Sequence, residues 1–173
     1  MDEATGALTT SRLLLVQATP VLIAAELEST GRLADVLDAI VPPDWPPEHH
    51  DVQTLRFWSE QLSRSGAAGW WLHYVVLRNA DPGTLVGTVS YKGPPVDGTV
   101  EIGYSVVPSW QRRGLATEAS RALIEAAWSR GAKVVVAHTL PDLKPSIRVL
   151  QKLGFAASES SEPDVLAFAL RRE

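Results

Sequence analysis

The chain has 173 residues, 45% of them hydrophobic and 21% charged, which suffices for one domain with its own core. Its 16 basic and 20 acidic residues give a net charge of −4, which argues against the basic surface of a nucleic-acid binder. The absence of cysteine excludes disulfides, thiolate catalysis and cysteine metal sites.

The first residues, MDEATGALTTSR, place no basic region ahead of an apolar run, so no secretory signal is expected. The longest aliphatic runs, such as LLLV at 13–16, are too short to cross a bilayer. The expectation is a soluble, cytoplasmic, single domain over residues 1–173 with neither nucleic acid nor membrane as a partner.

In chain order, RLLLV at 12–16 reads as an opening strand. Thr19-Pro20 reads as a cap followed by proline at the first helical position, opening a helix to about Glu28. VPPDWPPEHH, 41–50, holds four prolines and must be a stiff loop. Asp51 can cap a helix over 52–65 that buries Leu55, Trp58 and Leu62 and stops at Gly66.

Three strands follow, WWLHYVVLR at 70–78, TLVGTVSYK at 84–92 and TVEIGYSVV at 99–107. Their short Gly/Pro/Asp connectors predict antiparallel neighbours. A helix is expected over 114–130, with Leu115, Ala119, Ala122 and Ala126 on its packing face and Gly131 as its end. KVVVAHT, 133–139, is apolar enough for a strand buried on both faces. A short helix over 145–153 stops at Gly154, and strands are expected near 155–158 and 165–171. The order predicts an α+β fold with a mixed, mostly antiparallel central sheet flanked by helices.

The strand at 99–107 leads through Ser109-Trp110-Gln111-Arg112-Arg113-Gly114 into a helix. A helix N-terminus presents unpaired N–H groups and the positive end of its dipole. Glycine lets a ligand approach the backbone, the small Ala116 helps in the same way, and two arginines add cationic forks suited to phosphate. The combination predicts a pyrophosphate cradle.

These residues resemble a known family. Gln111-Arg112-Arg113-Gly114-Leu115-Ala116 resembles the acyl-CoA pyrophosphate motif, Q/R-x-x-G-x-G/A, of the GNAT superfamily of N-acetyltransferases. Residues 101–128 are similar to the central strand and helix of the branch that includes ribosomal-protein N-terminal acetyltransferases. TLPDLKPSIRVLQKLGF, 139–155, is similar to that branch's second signature, in which an Asn, a Ser and a Lys-x-Gly-Phe recur. RLLLV matches its opening strand, and the likeness is densest over 84–155.

The resemblance implies acetyl-CoA as cosubstrate and no metal. It implies a pantetheine arm paired with backbone near Val106 and Val107 where two strands splay apart. It also implies a cofactor site of Arg112, Arg113, Gly114, Leu115, Ala116, Thr117 and Lys152. One departure is Leu143, which stands where the branch carries the Asn that often bonds pantetheine, so that contact is lost or replaced. Pro145 stands where Ala is common, and Ser146 and Lys152 are retained.

Acetyl transfer to an amine requires proximity, a donor for the developing oxyanion and a group to take the amine proton. Glu101 is the first candidate base, sharing a strand face with Gly103, Ser105 and Val107. It lies six residues before the strand end, roughly 20 Å at about 3.3 Å per residue, so it needs a relay or acts instead as ligand to a cationic acceptor. His138 reads as a core histidine or a second base. Ser146 reads as a helix cap, a cofactor contact or the proton donor to the leaving thiolate.

His49 and His50 have no third partner at metal spacing and read as a solvated loop. Trp45, Trp70, Trp71 and Tyr74 are candidates to line an acceptor pocket, or core residues. The expected reaction is direct attack in a ternary complex by a primary amine, on a small molecule or a protein N-terminus. The alternatives are a non-catalytic acyl-CoA sensor and a structural module. A monomer or homodimer is expected.

Overall fold

A computed structural model of the protein describes residues 7–64 and 69–172. Gly66 and the last residue expected for the helix before it lie outside the described residues, as does the start of the acidic N-terminal segment. The elements in chain order are β1 (Leu8–Thr9), β2 (Leu13–Gln17), α1 (Pro20–Glu28), α2 (Thr30–Leu37), β3 (Ala39–Ile40), α3 (Val52–Arg64), β4 (Leu72–Leu77), β5 (Gly83–Tyr91), β6 (Thr99–Val106), α4 (Leu115–Ser129), β7 (Val134–Thr139), α5 (Lys144–Lys152), β8 (Ala156–Ser158) and β9 (Leu166–Arg171).

The described strands form one sheet in the order β1-β2-β4-β5-β6-β7-β9-β8, with β3 beside the start of β5. The pairs β2–β4, β4–β5, β5–β6 and β7–β9 are antiparallel. β6 and β7 are parallel, as a connection through α4 requires. This is the mixed, mostly antiparallel sheet flanked by helices that the sequence predicts.

One face of the sheet packs under α4 around Leu13, Val89, Ile102, Leu123 and Val135, all nearly or fully buried. The other packs under α1 and α3 around Ile23, Leu33, Trp58, Tyr74 and Leu85. Burying a side chain of this size contributes about 1.5–3 kcal/mol. Thr19 accepts the N–H of Leu22 at 3.2 Å and opens α1, and Asp51 accepts the N–H of Thr54 at 2.8 Å and opens α3, both as predicted.

Three elements went unread in the sequence, β1, α2 and β3. Ser29 ends α1 and at once caps α2 by accepting the N–H of Arg32 at 3.0 Å, so no loop separates the helices. The packing face of α4 is also rotated from expectation. Leu115, Ala119, Leu123, Ile124 and Ala127 are buried, while Ala122 and Ala126 are half-buried. β7 is not buried on both faces, for it alternates and ends with His138 exposed between buried Ala137 and Thr139.

Two backbone features fix the end of β6. A Cβ on Gly87 would meet the carbonyl oxygen of Ser105 at 2.2 Å, so only glycine lets β5 and β6 approach this closely. β6 pairs with β7 only from Thr99↔Val134 to Glu101↔Val136. Beyond Glu101, β6 stays with β5 while β7 continues with β9, so the two strands part.

Candidate active site

After Val107 the chain makes a single 3-10 turn at Pro108–Trp110, passes Arg112 at φ 59° and reaches Gly114 at φ 75°. Gly114 occupies the cap position of α4 and offers no side chain. The first bond there runs from the N–H of Glu118 to the carbonyl of Gly114, 3.0 Å, so the N–H groups of Leu115, Ala116 and Thr117 precede the helical ladder uncapped. The Leu115 side chain is core, so this residue offers a ligand only its N–H.

Arg113 lies 4.5 Å from the centroid of the Trp110 ring and donates to the Ser109 carbonyl at 3.2 Å. Arg112 is exposed and forms no ion pair among the described residues. The turn is held from below by Arg12 of the β1–β2 connection. Its Nη1 donates to the Arg113 carbonyl at 3.1 Å and its Nε to Glu118 Oε2 at 2.7 Å. Burial pushes the Glu118 carboxyl up, but hydrogen bonds from Thr10 and Arg12 outweigh it and hold the group below the usual carboxylate range.

Where β6 and β7 part, they leave a cleft of about 390 Å³. Side chains alternate across it. Ile102 belongs to the core under α4 and Val107 to the core on the other face. Glu101 therefore faces the side of the 41–51 loop, and Tyr104 faces α4 and α5. Glu101 Oε1 lies 3.0 Å from His138 Nδ1 and also pairs with Lys92. Burial pushes the Glu101 carboxyl up, but hydrogen bonds and charge from Lys92 and His138 outweigh it and hold it below its ordinary value.

On the opposite face, the Tyr104 hydroxyl lies 3.0 Å from both the carbonyl oxygen and Oγ of Ser146. Thr139 lines the same cleft, and its buried Oγ1 has no partner among the described residues.

Backbone groups alternate as well. Glu101 accepts from Lys92 N–H, and Val107 donates to the Val86 carbonyl at 3.0 Å, so the odd residues of β6 bond toward β5. The N–H groups of Tyr104 and Val106 therefore face the gap. The Val106 carbonyl accepts from Gln111 Nε2 at 2.9 Å.

The proline-rich loop roofs the cleft and is anchored on a buried carboxylate. Glu26, its side chain 5% exposed, accepts from Trp45 Nε1 at 2.8 Å, from Tyr74 OH at 2.6 Å and pairs with His50 Nε2 at 3.0 Å. Burial, then the charge of Glu26, pushes the Tyr74 phenol up. The loop also touches β6 and the turn beyond it. Asp44 accepts the N–H of Ser109 at 2.8 Å and its hydroxyl at 3.0 Å, and Ser105 Oγ donates to the Glu48 carbonyl at 3.0 Å.

The predicted site residues fall into two places. Arg112, Arg113, Gly114, Leu115, Ala116 and Thr117 form the turn and helix start, with Val106 and Val107 at the strand end feeding it. Glu101, His138, Leu143 and Ser146 line the cleft. Lys152, exposed in the last turn of α5, does not line it. Ser146 is the third residue of α5 and caps nothing there, since α5 begins after Leu143 without a side-chain cap.

His138 is no core histidine, because the parting strands leave its side chain 35% exposed. His49 is exposed as expected, but His50 is buried against Glu26. Trp45, Trp70, Trp71 and Tyr74 all pack into the cores and do not line the cleft. Arg12, Asp44, Glu26 and Tyr104 went unread, for their partners lie from 19 to 106 residues away and no local spacing signals them.

The chain belongs to the acetyltransferase (GNAT) family, whose domain model matches residues 12–156, and it is an acyltransferase of that family. No curated protein sequence matches it.

Solved structures share the fold at low identity. An acetyltransferase from Agrobacterium tumefaciens is 18% identical, TM-score 0.66, covering 96% of this chain and 94% of its own. The ribosomal-protein-S5-alanine acetyltransferase from Vibrio fischeri is 17% identical, TM-score 0.64, covering 95% and 96%. The microcin C7 self-immunity acetyltransferase MccE, in complex with acetyl-CoA and AMP, is 15% identical, TM-score 0.64, covering 94% of each chain. Among the described residues no helix is long and apolar enough to cross a membrane.

Proposed function

We propose that the protein is an acetyl-CoA-dependent N-acetyltransferase in which a primary amine attacks the thioester directly, within a ternary complex. The observation that carries this reading is the cleft itself. It places an imidazole–carboxylate pair on one face of the parted sheet and a hydroxyl on the other, beside a helix start whose N–H groups are open.

The cosubstrate supplies an activated acetyl group. The residues here fit it. Gly114 keeps the approach to α4 clear, the N–H groups of Leu115, Ala116 and Thr117 suit a pyrophosphate, and Arg112 adds charge. The gap-facing N–H groups of Tyr104 and Val106 suit the amides of the pantetheine arm, and the N–H nearest the acetyl oxygen meets the charge that develops there.

On the loop face, His138 takes the amine proton. With Nδ1–H donating to Glu101, Nε2 keeps its lone pair for the cleft. Glu101 is ionised and bound to Lys92, so it orients the imidazole rather than accepting the proton itself. Gly103, with no side chain, leaves room for the amine between Glu101 and Ser105. On the other face, the Ser146 hydroxyl meets the departing sulfur. It passes its proton to the thiolate and takes the second proton of the nitrogen, shed after attack, the first having gone to His138, so no outside donor is needed.

The acceptor is a primary amine on a small molecule or a peptide N-terminus. Glu162 at the cleft wall adds negative charge that favours a protonated amine. The test is a screen of amines and N-terminal peptides with acetyl-CoA, reading free thiol. Turnover that falls at least tenfold in His138→Gln, with acetyl-CoA binding kept, supports the reading. Release of no thiol with any acceptor, despite binding, refutes it in favour of a sensor.

A further inference from the structure

The ladder between β6 and β7 ends at Glu101. From Ile102 onward no ladder bond ties β6 to β7, and α5 follows β7. Ser146 therefore stands on one side of the parting and the pantetheine-facing edge of β6 on the other. Tyr104 bridges them, 3.0 Å from Ser146 Oγ and 3.0 Å from its carbonyl oxygen.

The bond pattern constrains which proton goes where. A phenol has one proton to give. The phenol donates to the Ser146 carbonyl, which has a second lone pair beside its helical bond, and at 3.0 Å from both oxygens it shares that one proton with Oγ in a three-centre bond. That shared bond makes Oγ an acceptor and leaves the serine proton free to point into the cleft. Burial pushes the phenol up from its ordinary value, so it stays protonated and remains a donor to Ser146.

We propose that Tyr104 is a positioning residue for the leaving group: it spans the parted strands, fixes the distance of α5 from β6 and aims the Ser146 hydroxyl at the departing sulfur. This rests on the reading of the cleft as the acetyl-transfer site. In that step nitrogen has bonded to the acetyl carbon, the C–S bond breaks with its electron pair on sulfur, sulfur takes the serine proton, and serine takes the second proton of the nitrogen, the first having gone to His138. Tyr104 neither gains nor loses one.

Misaiming a reacting group by about 1 Å can cost on the order of a hundredfold in rate. The test is a cycle of Tyr104→Phe, Ser146→Ala and the double variant, with kcat, both KM values and acetyl-CoA affinity measured for each. Tyr104→Phe keeps the ring and removes only the hydroxyl.

The expected result is a fall in kcat of between about ten- and a hundredfold, with KM and acetyl-CoA affinity within twofold. In the Ser146→Ala background the same change has no further effect, because there is no hydroxyl left to aim. Three results overturn the proposal. They are an unchanged kcat in Tyr104→Phe, a loss confined to acetyl-CoA affinity, or an undiminished loss in the Ser146→Ala background. A wild-type chain that turns over no acceptor sinks the acetyl-transfer reading and this inference with it. An active wild type with an indifferent Tyr104→Phe sinks this inference alone.

Discussion

Trp45→Phe tests whether the proline-rich loop is anchored on Glu26 as a unit. The change keeps an aromatic ring in the core and removes the indole N–H, which donates to Glu26 Oε1 at 2.8 Å where Trp45 is 7% exposed. A hydrogen bond to a buried charge contributes about 1.5–3 kcal/mol. The smaller ring leaves a gap that adds about 1 kcal/mol. His50 and Tyr74 stay on the carboxylate, so the anchor weakens without leaving a bare charge.

The expected loss is about 3 kcal/mol, a drop in melting temperature of roughly 6–12 °C for a chain of this size, read by calorimetry and checked by urea unfolding. Loop and turn are joined through Asp44 and Ser109, so the KM for acetyl-CoA should rise along with the KM for the acceptor. A melting temperature within 2 °C of wild type would mean the indole does not hold the carboxylate. An acceptor defect with acetyl-CoA affinity untouched would mean the loop and the turn act independently, as a freely exposed Trp45 would allow.

Gly114→Glu should abolish the thermal shift given by acetyl-CoA, about 2.7 kcal/mol in wild type at a hundred times the dissociation constant; it puts a side chain at φ 75° and a negative charge before α4, and a retained shift would move the site elsewhere. Gly103→Val should fold, since a Cβ there sits 3.5 Å from Ser90 Oγ, yet raise the acceptor KM at least tenfold, and unchanged kinetics would place the amine off this strand. Stability should fall as pH drops from 6.5 toward about 4, because burial holds the His73 imidazole at about 4 against an ordinary 6.5. In that window the unfolded chain binds a proton the folded one refuses, at about 1.4 kcal/mol per pH unit and about 3 kcal/mol in all. His73→Gln should flatten that slope in urea titrations at stepped pH, and an unaltered slope would assign it to other groups.

The turn at 107–117 could be read from sequence because its chemistry is local. A strand, two arginines, a glycine and a helix follow one another within eleven residues. The cleft could not be read in the same way. An extended strand puts Glu101 roughly 20 Å from its tip at about 3.3 Å per residue, but the tip is not where the cleft lies. The cleft opens instead where β6 leaves β7, directly after Glu101, and that depends on β7 turning to β9. His49 and His50 make the same point. Adjacent in an irregular loop, they have no periodicity to sort them, yet one is exposed and the other closes on a carboxylate 24 residues back. Tyr104 and Ser146 are 42 residues apart, and α2 hid because its capping serine is also the end of α1.

Magnitudes decide how the proposed pyrophosphate site divides its work. Arg113 is part of the frame, stacked on Trp110 and bonded to Ser109, with its own carbonyl gripped by Arg12. Of the two arginines, Arg112 has no ion pair among the described residues and would meet an anion at the surface, where an ion pair contributes about 0–1 kcal/mol and salt screens it beyond about 8–10 Å. Hydrogen bonds from backbone N–H groups to a charged oxygen contribute about 1.5–3 kcal/mol each, and three such groups precede the ladder of α4. The backbone therefore dominates affinity, and the arginine dominates approach. It follows that the site depends on Gly114 more than on either arginine. Removing the Arg112 charge lowers the association rate at low salt, whereas filling the space at Gly114 removes the site.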